Sequence, residues 1–210
     1  MTRTILRRAA LAGAAVTATL VLAACVSTSG GPGSMPMGNG TSGPAGGASA
    51  AAFNDADAMF AQLMIPHHRQ AVDMAALADT RATDPQVKQL AGQIKAAQDP
   101  EIQTMTGWLT AWGRPTTAPS TMPGMDMGAG QGAMPGMMSD ADMAKLRAAT
   151  GRDFDRQFCT MMIAHHQGAI QMAKQEQTAG VNPDAKALAT RIATSQQAEI
   201  DTMNKILAGL

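Results

Sequence analysis

Met64-Ile65-Pro66-His67-His68-Arg69-Gln70-Ala71-Val72-Asp73-Met74-Ala75 returns 98 positions later as Met162-Ile163-Ala164-His165-His166-Gln167-Gly168-Ala169-Ile170-Gln171-Met172-Ala173. The register continues without a gap. Asp84-Pro85 falls on Asn182-Pro183, Leu90-Ala91 on Leu188-Ala189, Ile94 on Ile192, Gln98 on Gln196, Glu101-Ile102 on Glu199-Ile200 and Thr104-Met105 on Thr202-Met203. Upstream, Asp57 and Phe60 fall on Asp155 and Phe158. A match this long at one fixed offset marks an internal repeat, and each copy is long enough for a pair of helices.

Within each copy, apolar residues recur at three- and four-residue steps: Phe60, Leu63, Met64, Ala71 and Met74 in the first, Phe158, Met162, Ala169 and Met172 in the second. That is the period of an amphipathic helix. Asp84-Pro85 and Asn182-Pro183 each place a capping side chain at the N-cap and proline at the first helical position, where its missing N–H costs nothing. Ser139-Asp140-Ala141-Asp142 resembles a capping box, and Gly180 suits the C′ position that closes a helix. These signals predict helices over 54–80, 84–112, 152–179 and 183–208, with a short one over 140–149. Four amphipathic helices around one core make an all-α four-helix bundle, here built from two repeated helix pairs. Pro66 lies inside the first helix and frees the carbonyl of Gln62, so a kink beside His67 is expected; its counterpart is Ala164.

The bundle is expected over 53–210, divided into repeat one (53–112), a Met-rich loop (113–138) and repeat two (139–210). Ahead of it, residues 1–24 run from Arg3, Arg7 and Arg8 through an apolar stretch to Leu22-Ala23-Ala24-Cys25, the order of a secretory signal peptide. The apolar stretch is short for a membrane span, which needs roughly 20 residues. Leu-Ala-Ala-Cys resembles the lipobox of bacterial lipoproteins, which implies cleavage before Cys25 and lipidation of its sulfur; Arg7-Arg8 also resembles a twin-arginine signal. Residues 25–52 carry the lipidated Cys and a Gly/Ser/Pro/Thr/Ala stretch too poor in apolar side chains to fold, hence a disordered tether. The expected place is the outer face of the cell membrane.

Removing the leader takes three of the 16 basic residues and none of the 16 acidic ones, leaving a net charge of −3, which disfavours nucleic acid as a partner. With Cys25 assigned to lipid, Cys159 has no partner for an intramolecular disulfide. It reads best as a small buried residue, and its repeat counterpart is Ala61.

All four histidines fall in the two matched pairs, and methionine reaches 18 against four Phe, two Trp and no Tyr. Neighbouring helical residues point about 100° apart, so one histidine of each pair should face the core. His67 shares its stripe with Phe60, Met64, Ala71 and Met74, and His165 with Phe158, Met162, Ala169 and Met172. His68 and His166 fall with Ile65 and Val72 and with Ile163 and Ile170, toward an adjoining helix. Taken singly, each would be a core histidine bonded to Gln98 or Glu101, or to Gln196 or Glu199. Two matched pairs argue for a metal site instead. Thioether is a soft donor suited to Cu(I), and imidazole suits copper, zinc and iron, so the mixed set Met64, His67, His68, Met74, Met162, His165, His166 and Met172 points to copper. Met105 and Met203 read as pliable core fillers.

Glu101 and Glu199 are the carboxylates repeated in the second helix of each pair and are candidates to complete the site; Asp57 and Asp155 sit nearer helix starts, where they offset the helix dipole. In the loop, Met122, Met125, Met127, Met134, Met137 and Met138 stand among Gly and Pro, where no core is expected to need them. Met125-Asp126-Met127 has the Met-x-Met spacing of exported copper-handling proteins, and Met35-Pro36-Met37 repeats it.

Met64 to Ala71, Phe154-Asp155-Arg156-Gln157-Phe158 and Met161 to Ala169 resemble the two signature blocks of the exported family named domain of unknown function 305, over about residues 53 to 208. The resemblance implies a ferritin-like four-helix bundle and, in some members, periplasmic copper binding, with the eight His and Met positions above inheriting the ligand role. The function read from the sequence is a non-catalytic, lipid-anchored protein that sequesters Cu(I) or delivers it to another copper-handling protein. Two other functions fit the same residues. One is a ferritin-like metal oxidase using His67, His165, Glu101 and Glu199, although Asp73 and Asp79 become Gln171 and Gln177, which leaves few carboxylates for a di-iron centre. The other is a metal-free helical interaction module.

Overall fold

The computed structural model describes residues 52–117 and 134–210. The proposed leader, Cys25, the tether and loop residues Met122, Met125 and Met127 lie outside the described residues. Within them the chain is helical: α1 (Asp55–Arg81), α2 (Pro85–Ala111), α3 (Asp140–Ala148), α4 (Gly151–Ala179) and α5 (Pro183–Gly209). Among the described residues, no helix is long and apolar enough to cross a membrane.

Each start follows from local chemistry. Asn54 opens α1 with a capping box: its side chain accepts the Asp57 N–H at 3.0 Å while the Asn54 N–H donates to the Asp57 carboxylate at 2.6 Å. Asp84 and Asn182 cap α2 and α5 through their side-chain oxygens with proline at the first helical position, as the repeat predicts. Ser139 caps α3 by accepting the Asp142 N–H. α1 runs continuously through Pro66, and α2 through Pro100. Gly180 closes α4 as the sequence predicts, with a φ of −70° that is open to any residue. Glycine is needed there for space: a Cβ would stand 2.2 Å from the Glu176 carboxyl and 2.7 Å from that of Asp57.

α1 packs on α2, α4 on α5, and the two pairs meet along α1 and α4. The core falls into two apolar clusters, each drawing on both repeats. One holds Ala71, Met74 and Ala78 of α1, Leu90 and Ile94 of α2, Phe154, Phe158 and Met162 of α4, and Met203 and Ile206 of α5. The other holds Phe60, Met64 and Ile65 of α1, Met105 and Leu109 of α2, Ala169 and Met172 of α4, and Leu188 and Ile192 of α5. Shifting any of Phe60, Met64, Met105 or Met172 by 98 positions carries it into the other cluster, so the duplicated helix pairs are related by a pseudo-twofold arrangement. Between the clusters α1, α2, α4 and α5 each contribute buried polar side chains.

Two carboxylates lock the pairs together. Asp155 accepts the backbone N–H groups of Thr83 (3.2 Å) and Asp84 (3.0 Å) and the Thr83 hydroxyl (2.7 Å), all from the α1–α2 turn. Asp57 does the same for the α4–α5 turn, accepting from Val181 (3.1 Å) and Asn182 (2.9 Å). Both are fully buried. Each therefore caps the second helix of the opposite repeat, a role beyond offsetting its own helix dipole.

Candidate metal centre

The polar layer consists of His67 and His68 of α1, Gln98 and Glu101 of α2, His165 and His166 of α4, and Gln196 and Glu199 of α5. All four imidazoles are at 0 % exposure. The His67 and His165 rings meet across the α1–α4 contact with centroids 3.7 Å apart, tilted by 41°, and His165 and His166 are 6.4 Å apart. His67 and His165 are the inward members of their pairs, as the helical stripe predicts. His68 and His166 turn to the neighbouring helix of their own pair, where Nε2–H donates to Glu101 at 2.7 Å and to Glu199 at 2.6 Å.

These bonds fix the tautomers. A carboxylate or a carbonyl only accepts, so the Nε2 it faces carries the proton, and in the neutral ring Nδ1 keeps the lone pair. His68 and His166 are set this way by the two glutamates, and His67 by the carbonyl of Pro135, to which its Nε2–H donates at 3.1 Å. A carboxylate behind an imidazole is the usual device for orienting a metal-ligating histidine and raising its basicity. Glu101 and Glu199 hold that position here.

Nδ1 of His67, His68 and His166, both nitrogens of His165, both amide atoms of Gln98 and the Gln196 carbonyl oxygen are buried without a partner at hydrogen-bonding geometry. Each such group costs about 1–3 kcal/mol when left unpaired. Burial, and then the neighbouring rings, push the His67 pKa down to about 3 and that of His165 well below its usual value. Both rings are therefore neutral across the physiological range, the form in which imidazole binds a metal.

Met64 and Met162 are fully buried one helical turn from the histidine pairs, in opposite clusters. Met74 and Met172 are also buried but lie six or seven residues along their helices, about 10 Å by the helical rise, inside the clusters. Among the described residues, no three His, Cys, Asp or Glu side chains are gathered as a ready-made metal cage. The His67 and His165 rings occupy the common centre themselves. Cys159 is buried, and burial followed by the charges of Asp155 and Asp84 pushes its thiol up to about 12, so it stands as a small core residue.

A strap covers the histidine contact. Gln70 clamps the backbone of Met138 with two bonds, donating to its carbonyl at 2.9 Å and accepting its N–H at 2.7 Å. Gly136 has φ +80°, and a Cβ on it would stand 2.7 Å from the Ala164 carbonyl and 2.8 Å from that of His165. Facing it, Gly168 has no room for a Cβ because the Pro135 carbonyl oxygen would be 1.9 Å away. Met138 is 9 % exposed in one core cluster and Met134 packs against the other, so the expectation that loop methionines have no core to fill fails for these two. Met137 is half-buried on the strap.

Fold and site together define a duplicated helical bundle with paired histidines buried at its waist. The chain belongs to the DUF305 family: the model described as Domain of unknown function (DUF305) matches residues 57–207. Among solved structures, it is 35% identical to a DUF305 protein of Streptomyces coelicolor described as secreted, with TM-score 0.66 over 73% of this chain and 93% of that one. A DUF305 fragment from Deinococcus radiodurans is 33% identical, with TM-score 0.65 over 75% and 98%. CopM in its Cu(II)-bound form is 37% identical, with TM-score 0.61 over 73% and 96%, and CopM has also been solved in Cu(I)-bound and Ag-bound forms. No curated protein matches the sequence significantly.

Proposed function

We propose that this protein is an exported, lipid-anchored copper carrier that holds Cu(I) at its buried histidine layer and passes it to another copper-handling protein. The observation that carries the reading is the set of unpartnered imidazole nitrogens, three of them Nδ1 atoms with their lone pairs exposed by the bonds at Nε2. His67, His68, His165 and His166 supply the nitrogens, with Met64 and Met162 the nearest thioethers and Met74 and Met172 behind them. Glu101 and Glu199 orient His68 and His166. An ion enters as the His67 and His165 rings part, exchanging their mutual contact for coordination.

The methionines of the loop, Met122, Met125, Met127, Met134, Met137 and Met138, serve as the outer capture surface. Cys25 is the lipid attachment point after removal of residues 1–24, so the bundle works outside the cytoplasmic membrane. Copper- and silver-bound forms of CopM and the description of the Streptomyces relative as secreted support the metal and the compartment. Engagement of both glutamates with histidine favours a carrier over an oxidase, because it leaves the layer without a free carboxylate.

The test is a competition titration of Cu(I), with Zn(II) as the borderline comparison, against wild type and His67→Phe/His165→Phe, which keeps ring volume in the core. Loss of at least tenfold in Cu(I) affinity, with no oxygen consumed by the loaded wild type, is expected. Equal affinity in the two proteins removes the histidine layer from the function, and steady oxygen consumption replaces the carrier by an oxidase.

A further inference from the structure

Gln98 and Gln196 occupy the same position of the two repeats and are 2 % and 3 % exposed. Each precedes by one helical turn the glutamate that holds a histidine, and each lies between the two apolar clusters, flanked by Ile94 and Met105 or by Ile192 and Met203. Neither amide atom of Gln98 has a hydrogen-bond partner, nor has the carbonyl oxygen of Gln196. The histidines do not satisfy them: the Nε2 atoms of His68 and His166 are taken by Glu101 and Glu199, and the remaining ring nitrogens make no hydrogen bond to either glutamine. A leucine or methionine at either position would join the two apolar clusters and remove the cost of an unpaired buried amide. The sequence keeps glutamine in both.

We infer that Gln98 and Gln196 are metal-facing members of the histidine layer, one per repeat, whose carboxamide oxygens give it a place for oxidised Cu(II) beside the place that thioethers give Cu(I). The inference rests on the copper reading above. Its chemistry is donor hardness: a neutral oxygen suits Cu(II) directly or through a bound water, thioether suits Cu(I), and imidazole suits both. The amide N–H groups, which cannot ligate, donate to such a water or to a counter-anion. Four helices then contribute to one site: α1 and α4 through nitrogen and sulfur, α2 and α5 through oxygen. One buried layer can in this way hold the ion in either oxidation state.

The experiment compares wild type with Gln98→Leu/Gln196→Leu in the full-length protein, using Cu(II) and the redox-inert soft ion Ag(I) as probes. Three readouts are taken: affinity for each ion, the electron paramagnetic resonance spectrum of the Cu(II) form, and the melting temperature of the metal-free protein. Cu(II) affinity is expected to fall at least tenfold more than Ag(I) affinity, the Cu(II) spectrum to shift, and the metal-free protein to melt higher. An equal fall for both ions with a lower melting temperature means that the glutamines only pack, and overturns the inference. So does an unchanged Cu(II) spectrum, or a wild type that binds Ag(I) but not Cu(II), each of which leaves the Cu(I) carrier standing. A wild type that binds neither ion overturns both readings. Should the leucine variant fail to fold, Gln98→Met/Gln196→Met decides by the same criteria.

Discussion

Glu176→Gln isolates an acidic pair at the end of the bundle remote from the histidines. Glu176 of α4 is 2 % exposed, and Gly180 leaves its carboxyl against that of Asp57. With both groups ionised neither Glu176 oxygen has a donor, and a proton on Glu176 supplies one. Burial, then the hydrogen bond to Asp57 and its charge, push the Glu176 pKa from 4.5 up to about 8, with Lys186 opposing. Burial alone would raise Asp57 as well, but donors at Asn54, Glu176, Asn182 and Val181 outweigh it and hold Asp57 low.

The unfolded chain releases the Glu176 proton near 4.5 and the folded chain near 8. Between those values the unfolded state binds fewer protons, so raising the pH favours unfolding. The stabilising contribution is complete below pH 4.5 and lost above 8. At about 1.36 kcal/mol per pH unit, the loss across that window is of the order of 5 kcal/mol. Glutamine keeps the shape and a donor for Asp57 but does not titrate. Urea unfolding of wild type and variant at pH 5, 6.5 and 8 should give curves that diverge as the pH rises, with the variant the more stable at pH 8. Taking their difference cancels His67 and His165, whose lowered pKa values act in the opposite direction. Parallel curves would refute the shared proton.

Gly168→Ala drives a Cβ into the Pro135 carbonyl and should cost about 1–3 kcal/mol or lift the strap, seen as new proteolysis at 134–138. Gly92→Ala, with nothing within 4 Å of the added carbon, should instead stabilise α2 by up to about 1 kcal/mol in urea unfolding. Met64→Leu/Met162→Leu conserves volume and should cost less than about 1.5 kcal/mol per site while lowering Cu(I) affinity at least tenfold; unchanged affinity would make both methionines simple core residues. Asp155→Ala leaves the Thr83 and Asp84 N–H groups unpaired and should cost about 2–4 kcal/mol in denaturant unfolding.

The offset of 98 and the two Asp/Asn-Pro caps made the bundle legible, because helix starts and apolar period are local properties: α2 was expected over 84–112 and spans Pro85–Ala111. The inward turn of His67 and His165 follows from the same period. Contacts between distant segments were not legible. Asp57 reads locally as an N-terminal acid, and only the fold brings Val181, 124 positions away, to its carboxylate. Gly168 differs from its counterpart Gln70 because the strap crosses one at its backbone and is clamped by the side chain of the other, an asymmetry that a repeat cannot announce. The two glutamates behind the histidines were visible as repeated carboxylates. Their place at Nε2 needed the geometry.

X-ray absorption at the copper edge of the Cu(I)-loaded protein tests the central claim most directly, since it reads the ligand atoms themselves. Imidazole nitrogen and thioether sulfur in one coordination sphere, with the imidazole scattering reduced in His67→Phe/His165→Phe, is the expected spectrum. A sphere of sulfur alone, identical in the two proteins, would place the copper on methionines elsewhere and contradict a metal site at the histidine layer.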